Sequence, residues 1–190
     1  MIACMNSLLD DKHVQRIGCG ALANLARQSE LVARKLISAG AIEISVRSMK
    51  LHECLEIHIS GCMLFGALSE LGEAAMNCAF EAQAVPCLIR AFGLHPEDEV
   101  LQSSACGALA SLAILPACAE QIVELDGVRH ILRALVRFPS SVGGLGGDGC
   151  LLLKRLCHVS ISRPELASLC NAAGATHGLD HSTRAFLGMS

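Results

Sequence analysis

Apolar residues recur at steps of three and four along the N-terminal quarter of the chain, in three separate runs. The runs contain Val14, Ile17, Ala21, Leu22 and Leu25, then Leu31, Leu36 and Ile37, and finally Ile42, Val46 and Met49. Such steps line up apolar side chains on one face of an α-helix. The pattern predicts three successive helices with these residues facing the core, and no alternating run is long enough to predict a β-sheet.

Helix-breaking residues separate these runs and the later ones. They are Gly40, the HPED segment at 95–98, Pro116, Pro139 and Pro164. Glycine interrupts helices because its backbone is unusually free, and proline because its backbone is unusually restricted. The chain is therefore predicted to be all-α.

Cysteines mark a longer pattern. They lie in GCGALANLA, GCMLFGAL, ACGALASL and GCLLLKRL, which places Cys19, Cys62, Cys106 and Cys150 at spacings of 43, 44 and 44 residues. A second marker keeps the spacing of 43 at Gly40, Gln83 and Asp126, with Gly174 a further 48 along. A third, the pairs VQ, IH and LQ, begins at Val14, Ile57 and Leu101. A fixed period of about 20 to 50 residues is typical of a solenoid, whose repeats bury their apolar faces by stacking.

The three-helix unit resembles the armadillo repeat. That repeat has a short first helix, a second helix opening on a small-residue motif such as AGAI, and a long third helix carrying a VQ…ALxNLA motif. The GC before ALANLA, and the endings VRSMKLHE and IRAFGLHPED, are most similar to the armadillo repeats of leucine-rich-repeat kinases and related protist proteins. The resemblance implies a right-handed α-solenoid of about four armadillo repeats, with three helices in each.

The predicted division of the chain follows these markers. Residues 1–10 end a preceding partial repeat; repeats span 11–51, 52–95 and 96–138; and a degenerate repeat with a glycine-rich loop at 143–149 spans 139–190. Neither end supplies the polar capping face that a solenoid needs. We therefore expect the chain to be a segment of a longer protein.

The composition limits which binding partners and which cellular compartment are expected. The 190 residues are 52% apolar with a formal net charge of -3, and only 3% are aromatic, with no Trp or Tyr. A nucleic-acid partner is not expected, because no basic stripe with interleaved aromatics is present. The 11 cysteines are odd in number and follow no signal-like N-terminus, so we expect reduced thiols in the cytoplasm or, as an alternative, the nucleus. The uncharged stretch 100–119 contains Gln102 and Pro116 and is predicted to be a buried helix, not a membrane span.

Several motifs that suggest chemistry have a structural explanation. The four cysteines would lie roughly 10 Å apart on stacked helices, so packing between the third helices is expected instead of a disulfide or metal site. Cys150, Cys157 and His158 are too widely spaced along one helix to share an ion. Segment 143–149 lacks the Lys-Ser or Lys-Thr of a phosphate loop and is predicted to be a flexible loop that erodes the fourth long helix.

Two polar runs also contain residues that occur in catalytic sites. The run 180–182 is Asp-His-Ser, but adjacent residues cannot converge on one proton relay. The run 52–54 is His-Glu-Cys and falls in a repeat junction. No catalysis, no cofactor and no metal are predicted.

The armadillo resemblance directs attention to a concave groove lined by the third helices. It places the ladder asparagine of the family at Asn24, where later units have Ala67, Ser111 and Arg155, and no Trp occupies the aromatic position of Gly20, Met63, Gly107 and Leu151. Peptide binding in the importin manner is therefore not expected. The candidate groove residues are Arg16, Asn24, Met63, Ser104, Ser111, Asp148 and Arg155, with solvated helix faces as the alternative.

Three functions are considered. The favoured one is a non-catalytic scaffold that binds a protein or peptide partner, or another domain of the same chain, along the third-helix groove. The alternative is a regulatory segment of a larger multidomain enzyme such as a leucine-rich-repeat kinase. The third is a redox or metal-binding protein that uses its cysteines, which zinc analysis and counting of free thiols would test.

Overall fold

The structure is a computed structural model that describes residues 1–139 and 144–160. This part of the chain contains eleven α-helices and no strand, which confirms the all-helical prediction there. In order they are α1 (Ile2–Ser7), α2 (Lys12–Ala26), α3 (Glu30–Ser38), α4 (Ala41–Leu51), α5 (Leu55–Ser69), α6 (Glu73–Glu81), α7 (Ala84–Leu94), α8 (Glu99–Leu112), α9 (Pro116–Glu124), α10 (Gly127–Arg137) and α11 (Leu145–Ser160).

The helix lengths recur in a fixed order. The long helices α2, α5, α8 and α11 have 15, 15, 14 and 16 residues; α3, α6 and α9 have nine each; and α4, α7 and α10 have 11 each. Each long helix packs side by side with the next long helix, and α4, α7 and α10 pack in the same order behind them. This arrangement is consistent with a helical repeat.

Local chemistry explains where the helices begin. Oδ1 of Asp11 accepts hydrogen bonds from the backbone N–H groups of His13 and Val14 at 2.9 and 3.1 Å, and Asp98 accepts from Leu101 at 2.8 Å. These carboxylates satisfy donors that the first turns of α2 and α8 leave unpaired. Pro116 occupies the first turn of α9, where its missing N–H costs nothing.

The marker shared by Gly40, Gln83 and Asp126 is a left-handed residue. Their φ angles are 86°, 65° and 60°, and each precedes an 11-residue helix. This conformation reverses the chain between two helices and favours glycine, because a Cβ costs roughly 1–2 kcal/mol there. The period of 43 is therefore set in part by a turn that recurs.

Replacing Gln83 by glycine should raise the free energy of unfolding by about 1 kcal/mol, since it relieves the left-handed strain of an exposed residue. Urea denaturation measures the change. The matched control is Ala82→Gly, one residue earlier, where φ is -73°. Glycine there should lower stability, because it only adds freedom to the unfolded chain. Changes of the same sign in both variants would contradict this explanation.

The core confirms part of the predicted apolar faces and corrects the rest. Leu22, Ile42 and Met49 are at most 1% exposed. The expectation was wrong for Ile17 and Leu31, which are 54% and 65% exposed, and Leu25 is only half-buried. The buried face of α2 includes Gln15 and Gly18, which an apolar pattern does not count. In α3 the buried residue is Ala33.

The cysteine row lies in the core, and two glycines beside it make room for methionines. Cys19, Cys62 and Cys106 are 1%, 0% and 0% exposed, and Cys150 is half-buried. The glycines before the first two do not face the next long helix. A Cβ added at Gly18 would overlap the side chain of Met5, and one added at Gly61 would overlap Met49. These glycines make room for methionines of α1 and α4, which pack across the long helices.

Two further predictions need correction. The stretch 100–119 is not one buried helix, because α8 ends at Leu112 and α9 starts at Pro116. The segment 143–149 is not a loop throughout, because α11 begins at Leu145 and continues through its glycines. Leu145 is fully buried, and a Cβ at Gly149 would lie 2.9 Å from Leu135, so packing stabilises a helix that local propensity opposes.

Some predictions fall outside the described residues. They concern Pro164, Gly174 and the run 180–182, and the side chains of Cys157 and His158. Across residues 1–139 and 144–160, no helix has both the length and the apolar character needed to cross a membrane.

Candidate functional site

All seven predicted groove residues lie on the long helices. Arg16 and Asn24 are exposed on α2, whereas the other five are half-buried, with Met63 on α5, Ser104 and Ser111 on α8, and Asp148 and Arg155 on α11. The predicted positions therefore share one class of helix.

The two residues on α11 contact α8. The carboxylate of Asp148 packs against Gly107, where an added Cβ would lie 3.1 Å from Oδ2, and desolvation raises the pKa of this carboxyl group. Nη1 of Arg155 donates a hydrogen bond to the carbonyl oxygen of Ala110. Because Ala110 is in the last turn of α8, Arg155 satisfies a carbonyl that the helix end leaves unpaired. Both side chains thus have a structural role at the α8–α11 interface.

An open cleft lies at the C-terminal ends of α2 and α5. Its volume is about 500 Å³, and Ala26, Met63, Ala67 and Leu71 line its apolar part. Met63 is the one predicted groove residue among its lining residues, and Ala67 is the α5 counterpart of Asn24. A cleft of this size and lining can accept one or two apolar side chains of a partner.

Charged residues surround the cleft. Arg27, Glu30 and Glu70 line its rim. Arg34 links two sides of it, since Nη2 lies 2.7 Å from Oε1 of Glu30 and donates to the carbonyl oxygen of Leu71 at 3.5 Å. The apolar lining residues and this charged rim provide both contact area and polar anchors. Sequence reasoning missed Ala26, Arg27 and Leu71 because they lie at helix ends, outside the ladder positions that the resemblance highlights.

The residue that follows Val14, Ile57 and Leu101 holds the repeat junctions together. Nε2 of Gln15 donates to the carbonyl oxygens of Met5 and Leu8, both at 2.8 Å. Nε2 of Gln102 donates to those of Phe92 and His95, both at 2.9 Å. Both glutamines are at most 2% exposed. They satisfy carbonyls at the ends of α1 and α7, of which those of Leu8 and His95 also accept the backbone N–H groups of Asp11 and Asp98.

In the middle junction the same position is His58. Its Nε2 lies 3.1 Å from the carbonyl oxygen of Met49, near the end of α4, and its Nδ1 lies 2.9 Å from Nε2 of His95. Arg90 donates to the carbonyl of Lys50 at 3.1 Å and pairs with Glu53 at 2.6 Å. This junction is therefore richer in titratable groups than the two that contain glutamine.

The His-Glu-Cys run at 52–54 does not form a catalytic cluster. Nε2 of His52 lies 2.8 Å from the carbonyl oxygen of Leu9, and Glu53 pairs with Arg90. The Cys54 thiol donates to Glu56 at 3.0 Å, and that hydrogen bond is the main reason why the pKa of the Glu56 carboxyl is lowered. The three side chains have three separate partners, so they do not converge on one another.

Five of the buried thiols have raised pKa values, which favour the protonated form at neutral pH. Burial raises the pKa of Cys19 to about 11, of Cys62 to about 12 and of Cys118 to about 11, and it raises the pKa values of Cys87 and Cys106 as well. The thiolate is the form that binds metals and attacks disulfides, so these groups are poorly suited to either reaction. Within the part of the chain that the structure describes, no three His, Cys, Asp or Glu side chains are grouped to hold a metal ion.

Comparison with known proteins gives information about the fold alone. The chain is similar to the crystal structure of an engineered protein from the Northeast Structural Genomics Consortium, with a TM-score of 0.66 and 18% sequence identity. The match covers 80% of this chain and 65% of that one. The two proteins share a helical architecture. No protein-family profile and no curated protein matches the chain.

Proposed function

We propose that the chain is an armadillo-type right-handed solenoid of about four three-helix repeats, and that it acts as a non-catalytic scaffold for a protein or peptide partner. The recurring helix lengths, the left-handed turns at a spacing of 43 and the polar residue that caps each preceding helix all support a repeat of this type. The buried, protonated thiols suit a reducing compartment such as the cytoplasm.

The observation that carries the proposal is the cleft between the ends of α2 and α5. It joins an apolar lining to a charged rim on the long helices, which is the combination that recognises a short segment with one apolar anchor. The proposed partner segment inserts this anchor against Met63 and Ala67. Its flanking polar groups contact Arg27 and Glu70 at the rim.

The test is selection of peptides from a displayed random library, followed by affinity measurements on matched variants. Ala67→Trp fills the cleft and Glu70→Arg reverses a rim charge, so each should weaken the selected peptides by about tenfold or more, as expected for a central contact. Glu43→Arg makes the same charge change at an exposed position of α4, outside the cleft lining, and should leave affinity unchanged. Equal affinities for wild type and Ala67→Trp would exclude the cleft as the binding site.

A further inference from the structure

The pair His58 and His95 is a contact between a buried and a half-buried titratable ring. His58 is 1% exposed, and the ring centroids lie 5.1 Å apart with planes tilted by 60°. His58 is on α5, His95 follows α7, and His58 also bonds to Met49 of α4. One imidazole thus joins three helices at a position where the neighbouring junctions use Gln15 and Gln102.

The hydrogen bonds determine where the protons lie. The carbonyl oxygen of Met49 only accepts, so Nε2 of His58 carries a proton. When His58 is neutral its Nδ1 is bare and accepts from the Nε2–H of His95. One added proton is tolerated, because either ring can be fully protonated while the other accepts. A second added proton places two N–H donors against each other, and this hydrogen bond is lost.

The surroundings oppose protonation of His58. Burial is the main reason why its pKa is lowered. The hydrogen bond to the Met49 carbonyl is the largest opposing effect, His95 and Arg90 lower the pKa further, and Glu53 raises it. Arg90 is held close by, since its Nη1 lies 3.5 Å from the same Met49 oxygen and its Nη2 pairs with Glu53. The charges of Arg90 and Glu53 oppose each other, so burial, which outweighs the Met49 hydrogen bond, sets the direction of the shift in the pKa of His58.

We propose that the His58–His95 pair makes the junction of α4, α5 and α7 acid-sensitive, so that uptake of a second proton separates the rings and loosens this junction alone. The direction of the pH effect follows from how many protons the closed and the open junction bind. An opened junction returns His58 to the ordinary histidine range near pH 6.5, above its value in the closed state, so the open form binds more protons. The stability of the closed junction is therefore complete above this range and declines as pH falls through it. The junctions of Gln15 and Gln102 have no histidine at this position and serve as comparisons. Gln15 is the stricter control, because Gln102 itself bonds to the His95 carbonyl.

Hydrogen–deuterium exchange of the full chain tests the proposal, with protection factors corrected for intrinsic rates near pH 7.5 and near pH 5.5. The amides of His58 and His95, bonded to Cys54 and Ala91, should lose protection by about fivefold on acidification, the equivalent of one typical hydrogen bond. The amides of Gln15 and Gln102, bonded to Asp11 and Asp98, should keep theirs. Equal losses at all three junctions would overturn the proposal.

Two variants separate this pair from another acid-sensitive residue. His58→Gln installs the residue of the neighbouring junctions and should abolish the pH-dependent loss. The comparison variant is His130→Asn. The pKa of His130 is also lowered, mainly by burial and next by the charge of Arg133. His130→Asn should retain the wild-type loss at His58. The proposal is wrong if His58→Gln keeps the loss or if His130→Asn removes it.

A measurement on the wild type does not depend on either variant folding. Long-range nitrogen–proton NMR spectra of the imidazoles report which ring nitrogen is protonated. At neutral pH His58 should be neutral with its proton on Nε2, and Nε2 of His95 should also carry a proton. A His58 ring that is protonated on both nitrogens at neutral pH, or only on Nδ1, would overturn the proposal.

Discussion

Replacing Gln102 by leucine should lower the free energy of unfolding by about 1–3 kcal/mol, although leucine has a similar size and is more apolar. The side-chain amide of Gln102 is 2% exposed and donates to the carbonyl oxygens of Phe92 and His95. Leucine removes this donor from the Phe92 carbonyl, and a buried unsatisfied polar group costs about 1–3 kcal/mol. The His95 carbonyl keeps the backbone N–H of Asp98 at 3.2 Å. Urea denaturation followed by circular dichroism measures the change.

The control for this substitution comes from the chain itself. Gln102→His introduces the residue that the middle junction uses at His58, which still donates to a carbonyl of the preceding helix. It should therefore cost clearly less than Gln102→Leu. If the leucine variant is as stable as the wild type, the side chain at this position acts through its volume and not through its hydrogen bonds.

The marker residues show what the sequence could predict and what it could not. Their spacing predicted that three features recur, and the structure assigns each a physical role: a buried thiol at Cys62, a left-handed turn at Gln83 and a helix cap at Gln102. Period and helix content follow from local patterns. The cap could not be assigned in advance, because its partners Phe92 and His95 come from a different helix.

The candidate site was less predictable than the fold. Asn24 and Arg16 were selected by resemblance and are exposed, whereas Arg155 serves the end of α8. The cleft depends on how the ends of α2 and α5 approach each other, and residues such as Leu71 have no periodic signal. Apolar periodicity also misplaced Ile17, since a polar but buried glutamine shares the inner face of α2. A pattern that counts only apolar residues cannot identify a helix face that buries a polar capping side chain.

The glycines of α5 give a second large expected effect, with opposite signs at two positions of one helix. Gly61→Ala should destabilise the protein, because the added Cβ overlaps the buried Met49, and overpacking costs about 1–3 kcal/mol. Gly66→Ala should stabilise it by up to about 1 kcal/mol, the difference in helix propensity, since its Cβ would lie 3.9 Å from the Cα of Ala108.

The two alanine variants share the same gain in helix propensity, so the difference of about 2 kcal/mol expected between their unfolding free energies isolates the contact with Met49. Combining Gly61→Ala with Met49→Ala removes the overlapping side chain. The double variant should therefore be more stable than the sum of the single changes implies. Strict additivity, or equal stability of Gly61→Ala and Gly66→Ala, would show that Gly61 is not required to admit the methionine. Gly18 makes room for Met5 in the same way. The outcome at Gly61 therefore also tests whether the glycine before the cysteine recurs because a methionine of a preceding helix packs against it.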